Sequence, residues 1–137
     1  MTPRGLRNCN PGNIRLSGVR YKGEIRPSAD PQFRQFDSLE WGYRAIFVLL
    51  HTYARRHACR TLRQMIARYA PPDENDTRRY TLFVAQHSGI DPDKQLDTLD
   101  RTAMTAVVCA ISLFENGQHA DRTTVARGWS LFAEDFH

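Results

Sequence analysis

A change of pattern at Ser38 constrains this chain more than any other feature. Before it, residues 1–36 carry Asn10-Pro11-Gly12-Asn13, Ser17-Gly18, Gly23, Pro27 and Pro31, with short apolar or aromatic pieces between them. That punctuation interrupts helices and long strands, and predicts a loop-rich arm with one irregular hairpin. After it, Leu39, Tyr43, Ile46, Phe47, Leu50 and Tyr53 recur at helical spacing. Ser38 is placed to accept the free N–H groups of the first turn, so a central helix running to about Arg56 is expected.

The same reading extends to the C-terminus. Thr61 caps a short helix with Leu62, Met65, Ile66 and Tyr69 on one face, and Pro71-Pro72 stops it. A helix from about Thr77 to Ser88 buries Tyr80, Phe83 and Val84 and ends at Gly89. The segment from about Arg101 to Phe114 is apolar nearly all round, which marks it as core, and Asn116-Gly117 terminates it. A last helix from about Thr123 to Ala133 offers Val125, Trp129 and Phe132. The expected fold is mainly α, about five or six helices in one domain with little sheet.

Size and composition agree with one domain. At 137 residues the chain can bury roughly two thirds of its unfolded surface, and 41% hydrophobic with 25% charged residues is ordinary for a globular protein. No run reaches the length of a membrane span, and Met1 to Asn13 has arginines but no apolar centre, so no secretory signal is expected. The net charge of +4 comes almost wholly from arginine and is scattered. It favours acidic partners without choosing among nucleic acid, wall polymers and headgroups, and no nucleic-acid motif accompanies it. Cys9, Cys59 and Cys109 have no metal-ligand spacing and cannot all pair, and the histidines form no HExxH-like set, so no metal or other cofactor is expected. Cys9, in a polar loop, leaves a Cys–His hydrolase as a separate alternative.

The densest chemistry lies between Tyr69 and Tyr80, where Glu74, Asn75, Asp76 and Thr77 crowd between a proline stop and a helix start. Such a polar corner suits a binding or catalytic site; equally, Asp76 or Thr77 serves as a helix cap and Glu74 is solvated.

Three blocks carry a family resemblance: Arg7-Asn8-Cys9-Asn10-Pro11-Gly12-Asn13-Ile14-Arg15, Phe36-Asp37-Ser38-Leu39-Glu40-Trp41-Gly42-Tyr43, and Tyr69-Ala70-Pro71-Pro72 with Glu74, Asn75 and Thr77. Together with Glu115-Asn116-Gly117 they resemble small phage and prophage proteins usually labelled phage structural protein, in which asparagine often stands at the position of Cys9. An exchangeable nucleophile is no nucleophile, which counts against the cysteine alternative. More distantly, the Asn-Pro-Gly-Asn-Ile-Arg loop, the Phe33-Arg34-Gln35-Phe36-Asp37-Ser38 segment and the Tyr69-Ala70 corner resemble, in the same order, motifs of autolysin- and flagellar-type endo-N-acetylglucosaminidases. Those enzymes are lysozyme-like and carry a glutamate-ended core helix before the first motif. Here the matching helix stands last, at Glu115, so the resemblance implies a circularly permuted lysozyme-like domain over residues 1–137.

The resemblance implies a peptidoglycan glycosidase, either glucosaminidase or muramidase or a lytic transglycosylase, acting on glycan strands and serving phage entry or release. Delivery would be by virion or holin after cytoplasmic synthesis. The alternative is a non-catalytic virion structural or wall-binding protein, with other virion proteins as partners. Glu115, after an apolar helix and at its negative end, suits a general acid kept protonated near neutral pH. Glu74 or Asp76 is the candidate second carboxylate, and Tyr69 a residue orienting acid or sugar. Asn10, Asn13, Asn75, Thr77 and Tyr80 are candidate sugar contacts. Glu40 is a rival acid, ranked lower because a helix N-terminus lowers a carboxyl pKa.

Overall fold

The computed structural model describes residues 1–73 and 75–137. The arm contains a one-turn helix α1 (Arg4–Arg7) and an antiparallel pair β1 (Glu24–Ile25) and β2 (Gln35–Phe36), with Glu24 opposite Phe36. The helices α2 (Leu39–Arg56), α3 (Leu62–Tyr69), α4 (Thr77–Ser88), α5 (Arg101–Asn116) and α6 (Arg122–Asp135) follow. The fold is mainly α and forms one domain, as the periodicity predicts.

The local reasons are those the sequence carries. The Ser38 side chain accepts the Trp41 N–H at the start of α2. Thr61 and Gln64 form a reciprocal capping box on α3, Asp76 caps α4, and Asp100 caps α5. The α5 helix runs two residues past Phe114, so Glu115 and Asn116 belong to its last turn. Gly117 stops it at φ 68°, a left-handed conformation that only glycine takes without strain.

The helix α2 packs chiefly on α6, α4 on α5, and α3 on α4. Tyr43, Ile46, Phe47 and Leu50 of α2 meet Met104, Val107, Val108 and Ile111 of α5 and Val125, Trp129 and Phe132 of α6 in one core. Phe47 and Trp129 lie edge to face at 5.1 Å between ring centres.

The arm is held differently. Arg4 pairs with Asp30 at 2.6 Å, and the buried Arg34 guanidinium pairs with the buried Glu24, which Arg26 also meets at 2.8 Å. Asn10, fully buried, donates to the carbonyls of Ile14 and Arg34 at 3.0 Å each and accepts from the Ile14 N–H, fixing the loop around it. Cys9 takes a φ of 50°, a conformation that asparagine tolerates better than most residues. The arm is seated on α2 at Gly42, where a Cβ would collide with the Cys9 carbonyl and with Pro11 Cδ.

Candidate functional site

The last turn of α5 delivers Glu115 to the seam between arm and helices. Its neighbour Asn116 is buried and donates to Pro11 O at 2.8 Å and Ser112 O at 2.9 Å, locking the helix end to the arm loop. That loop returns Asn13, whose Nδ2 donates to Glu115 Oε1 at 2.8 Å, while the Tyr80 hydroxyl donates to Oε2 at 2.7 Å. Two remote segments thus converge on the carboxyl group that α5 carries. Asn13 Oδ1 is buried with no hydrogen-bond partner among the described residues, a penalty of about 1–3 kcal/mol for such a group. The amide is oriented for Glu115 rather than for its own satisfaction.

Burial pushes the Glu115 pKa above the usual carboxylate range, and the donors Asn13 and Tyr80 only partly offset it. The phenols of Tyr69 and Tyr80 are raised well above their ordinary value, first by burial and then by neighbouring charge and phenol groups, and stay protonated. Tyr80 stacks on Phe114 at 4.0 Å, an apolar wall behind the acid. Tyr69 donates its hydroxyl to Gly12 O, holding the loop that carries Asn13.

In front of Glu115 opens a cleft of about 400 Å³, lined also by Asn13, Tyr21, Tyr53, Arg68, Tyr69 and Asn75. Glu115 supplies the only carboxylate among its described lining residues. An acid with an apolar back, two hydrogen-bond donors and an aromatic- and amide-lined front can protonate a leaving oxygen in a bound polar molecule.

The chain is 40% identical over 119 residues to Protein P5 of Pseudoalteromonas phage PM2, and the alignment covers 85% of this chain and 72% of that protein. It belongs to the Protein P5 family. No model of a protein family matches the sequence.

For this member of the Protein P5 family, the cleft sorts the residues singled out from sequence. Glu115, Tyr69, Asn13 and Asn75 line it together. Asn10 does not: it is fully buried beneath the loop and its amide is engaged by backbone. Tyr80 sits behind Glu115 with 1% of its surface exposed, so it acts on the acid and not on a ligand in the cleft. Thr77 donates to Ala70 O at 2.6 Å and lies outside the lining. Glu74 falls outside the described residues, and Asp76 is occupied in capping the Arg79 N–H. Glu40 is outside the cleft, 3.8 Å from Arg127. The Cys9 thiol is pushed up by burial and by Asp37 and Glu40, against thiolate formation.

Sequence reasoning passed over Tyr53, Tyr21 and Arg68. Tyr53 closes the helical series of α2 and packs against the core, and its ring also faces Arg68 at 5.4 Å. A tyrosine at the polar end of an amphipathic stripe, one helix length from an arginine before Pro71-Pro72, is the signal that was there. No helix is long and apolar enough to cross a membrane, and no group of three or more His, Cys, Asp and Glu among the described residues is placed to hold a metal ion.

Proposed function

We propose that this chain is a phage virion protein whose groove engages peptidoglycan glycan, with Glu115 as the proton donor for cleavage of a glycosidic bond. Kinship with Protein P5 of a phage supports the virion part, and by itself it favours a structural role over an enzymatic one. The catalytic part rests on one observation. Glu115, raised in pKa by burial, is held at the head of a cleft by Asn13 and Tyr80 from 102 and 35 residues away in sequence.

In this reading Glu115 gives its proton to the glycosidic oxygen as the C1–O bond breaks, leaving an oxocarbenium-like sugar. The resulting carboxylate then takes the proton of the group that attacks C1. That group is water in a hydrolase, or the sugar's own C6 hydroxyl in a transglycosylase. Asn13 and Tyr80 hold the carboxyl in place during both steps, and Tyr21 and Tyr53 line the cleft in which the sugar rings lie. A lysozyme-like, circularly permuted arrangement belongs to this proposal, supported by the contact of the N-terminal Asn13 loop with the glutamate that ends α5.

Purified cell walls incubated with the protein test it. Turbidity loss is expected, and mass spectrometry of the fragments separates reducing ends from anhydro sugars. Glu115→Gln is expected to lower the rate by about 10²–10⁴-fold without unfolding the protein, as loss of a general acid does. Walls left intact by the wild-type protein, yet bound by it, establish the structural, wall-binding alternative. Full activity of a folded Glu115→Gln variant overturns the assignment.

A further inference from the structure

The Glu115 cleft does not end at Tyr53. A second cleft of about 700 Å³ shares Ser17, Tyr21, Leu49 and Tyr53 with it, so the two run into each other across a ridge of tyrosines. Its character is different. Arg20, Lys22, Arg44, Arg55 and Arg56 line it, and among the described residues no Asp or Glu does. Asp135 lies beside it and is shared by Lys22 at 2.8 Å and Arg44 at 2.9 Å, which leaves that pair with an excess of positive charge. Arg20, Arg55 and Arg56 are exposed, and no ion pair or hydrogen bond engages them among the described residues.

Five of the chain's cations thus meet in one cleft, a grouping that their scatter in sequence hides. A concave surface lined by one sign of charge concentrates the field and recruits the opposite charge. Guanidinium groups with free donors favour planar carboxylates, which they bind through paired N–H groups. What would lie there follows from continuity. A glycan strand with a sugar at Glu115 projects its lactyl-linked peptides sideways, and such stems are rich in carboxylates.

We propose that the basic cleft of Arg20, Arg55 and Arg56 is a subsite for the carboxylates of peptidoglycan stem peptides. The inference rests on the glycan reading of the Glu115 cleft. It makes the protein a reader of peptide-bearing glycan, with specificity set at a distance from the acid.

Binding to wall material fixed on a solid support tests it, using the full chain with Glu115→Gln to prevent turnover. Two preparations are compared: intact sacculi, and the glycan strands left when an N-acetylmuramoyl-L-alanine amidase removes the stems and with them the cross-links. Intact walls are expected to bind about tenfold more tightly, since three exposed charge contacts of ordinary strength multiply to that order. The triple variant Arg20→Gln, Arg55→Gln, Arg56→Gln should lose that advantage on intact walls and change little on stripped ones. The advantage should also shrink at high salt.

Equal binding of intact and stripped walls overturns the inference and leaves the glycan reading standing. Binding of free stem peptide with no binding to stripped glycan does the reverse. If duplex DNA or anionic phospholipid vesicles compete as well as stem peptide, and do so through the same arginines, the cleft is a general anion surface and the inference fails. All three substituted side chains are exposed, so loss of binding with an unchanged melting temperature is readable as loss of contact.

Discussion

The arm and the helical bundle reach the same degree of burial by opposite means. In the bundle, apolar side chains from α2, α3, α4, α5 and α6 exclude water and the capped helices satisfy their own backbones. In the arm, the core contribution is Ile14 and Phe36, while Asn8, Asn10, Glu24, Asp30 and Arg34 are buried as well. Those polar groups replace the missing secondary structure by bonding loop carbonyls, N–H groups and one another. The difference teaches where a site can be built. The hydrophobic bundle can desolvate an acid and offers it one donor, the Tyr80 phenol; the polar arm adds an amide but has no apolar wall. Glu115 stands at their seam and takes the wall from Phe114 and Tyr80 and an amide from Asn13.

The sharpest way to break that comparison is to remove one charge from the arm. Arg34→Ala leaves the buried Glu24 with Arg26 as its ion partner, and loss of one member of a buried pair typically costs about 3–5 kcal/mol. Leu50→Ala in the bundle should cost about 2–5 kcal/mol through its cavity. Urea denaturation measures both. The double change Arg34→Met with Glu24→Gln should recover much of the loss, whereas no polar second change should rescue Leu50→Ala. An Arg34→Ala variant as stable as the wild type shows that the arm is held by Ile14 and Phe36 and not by its ion pairs.

Next in size is the seam itself. Gly42→Ala puts a methyl group against the Cys9 carbonyl and Pro11, so the arm must lift or α2 must shift, at about 1–3 kcal/mol. Hydrogen exchange distinguishes the two. Faster exchange at Asn13 and Ile14 with unchanged protection in α5 and α6 is expected; uniform acceleration shows that arm and bundle unfold as one unit.

The two regions were also unequally legible in sequence. The helices are legible where a cap, a period or a stop lies close at hand: Ser38 before Leu39, Thr61 before Leu62, Gly89 after Ser88; α6, with no side-chain cap, is legible by its period alone. The arm's order comes from partners such as Arg4 and Asp30, 26 residues apart, for which no periodicity exists. Only its short hairpin announced itself, and the turn α1 did not. In the site, the motifs offer Asn10, Asn13 and Tyr80 alike as ligand contacts, whereas the structure turns the Asn13 amide to Glu115 and buries Asn10 and Tyr80. An amide or a phenol named by sequence has no direction; burial and hydrogen bonds turned both inward.

Acid should separate the regions without mutation. Asp30 is held well below the usual carboxylate range by hydrogen bonds from Arg4, backbone and Asn8. At Glu24 burial pushes upward, but Arg26, the Tyr21 N–H and Arg34 prevail and hold it low. For both, the unfolded chain binds more protons than the folded one between the two pKa values. Their stabilisation is therefore complete above the ordinary carboxylate range and is lost as pH falls through the depressed folded values. The arm is expected to loosen first on acidification, seen as exchange at residues 14–36 preceding that of α5. Simultaneous loss would mean that its carboxylates contribute nothing the bundle does not.

Glu115 has the opposite sign, and this gives the smallest effect with the clearest meaning. Its folded pKa is raised, so the folded protein binds more protons than the unfolded chain as pH climbs from the ordinary glutamate range to the raised value. The bare carboxylate thus costs stability, a cost absent in acid, growing through that window and complete above it. Glu115→Gln removes the charge and keeps the size, so the variant should melt with the wild type in acid and slightly above it at neutral pH. Melting curves taken across that range test the point directly, without reference to any substrate. A gain confined to neutral pH marks a site whose geometry holds an acid against its own solvation, as a proton donor requires. A loss at neutral pH that disappears in acid would show that Asn13 and Tyr80 stabilise the carboxylate beyond what burial takes away. Glu115 would then belong with Asp30 and Glu24, as one more polar fastening of the arm.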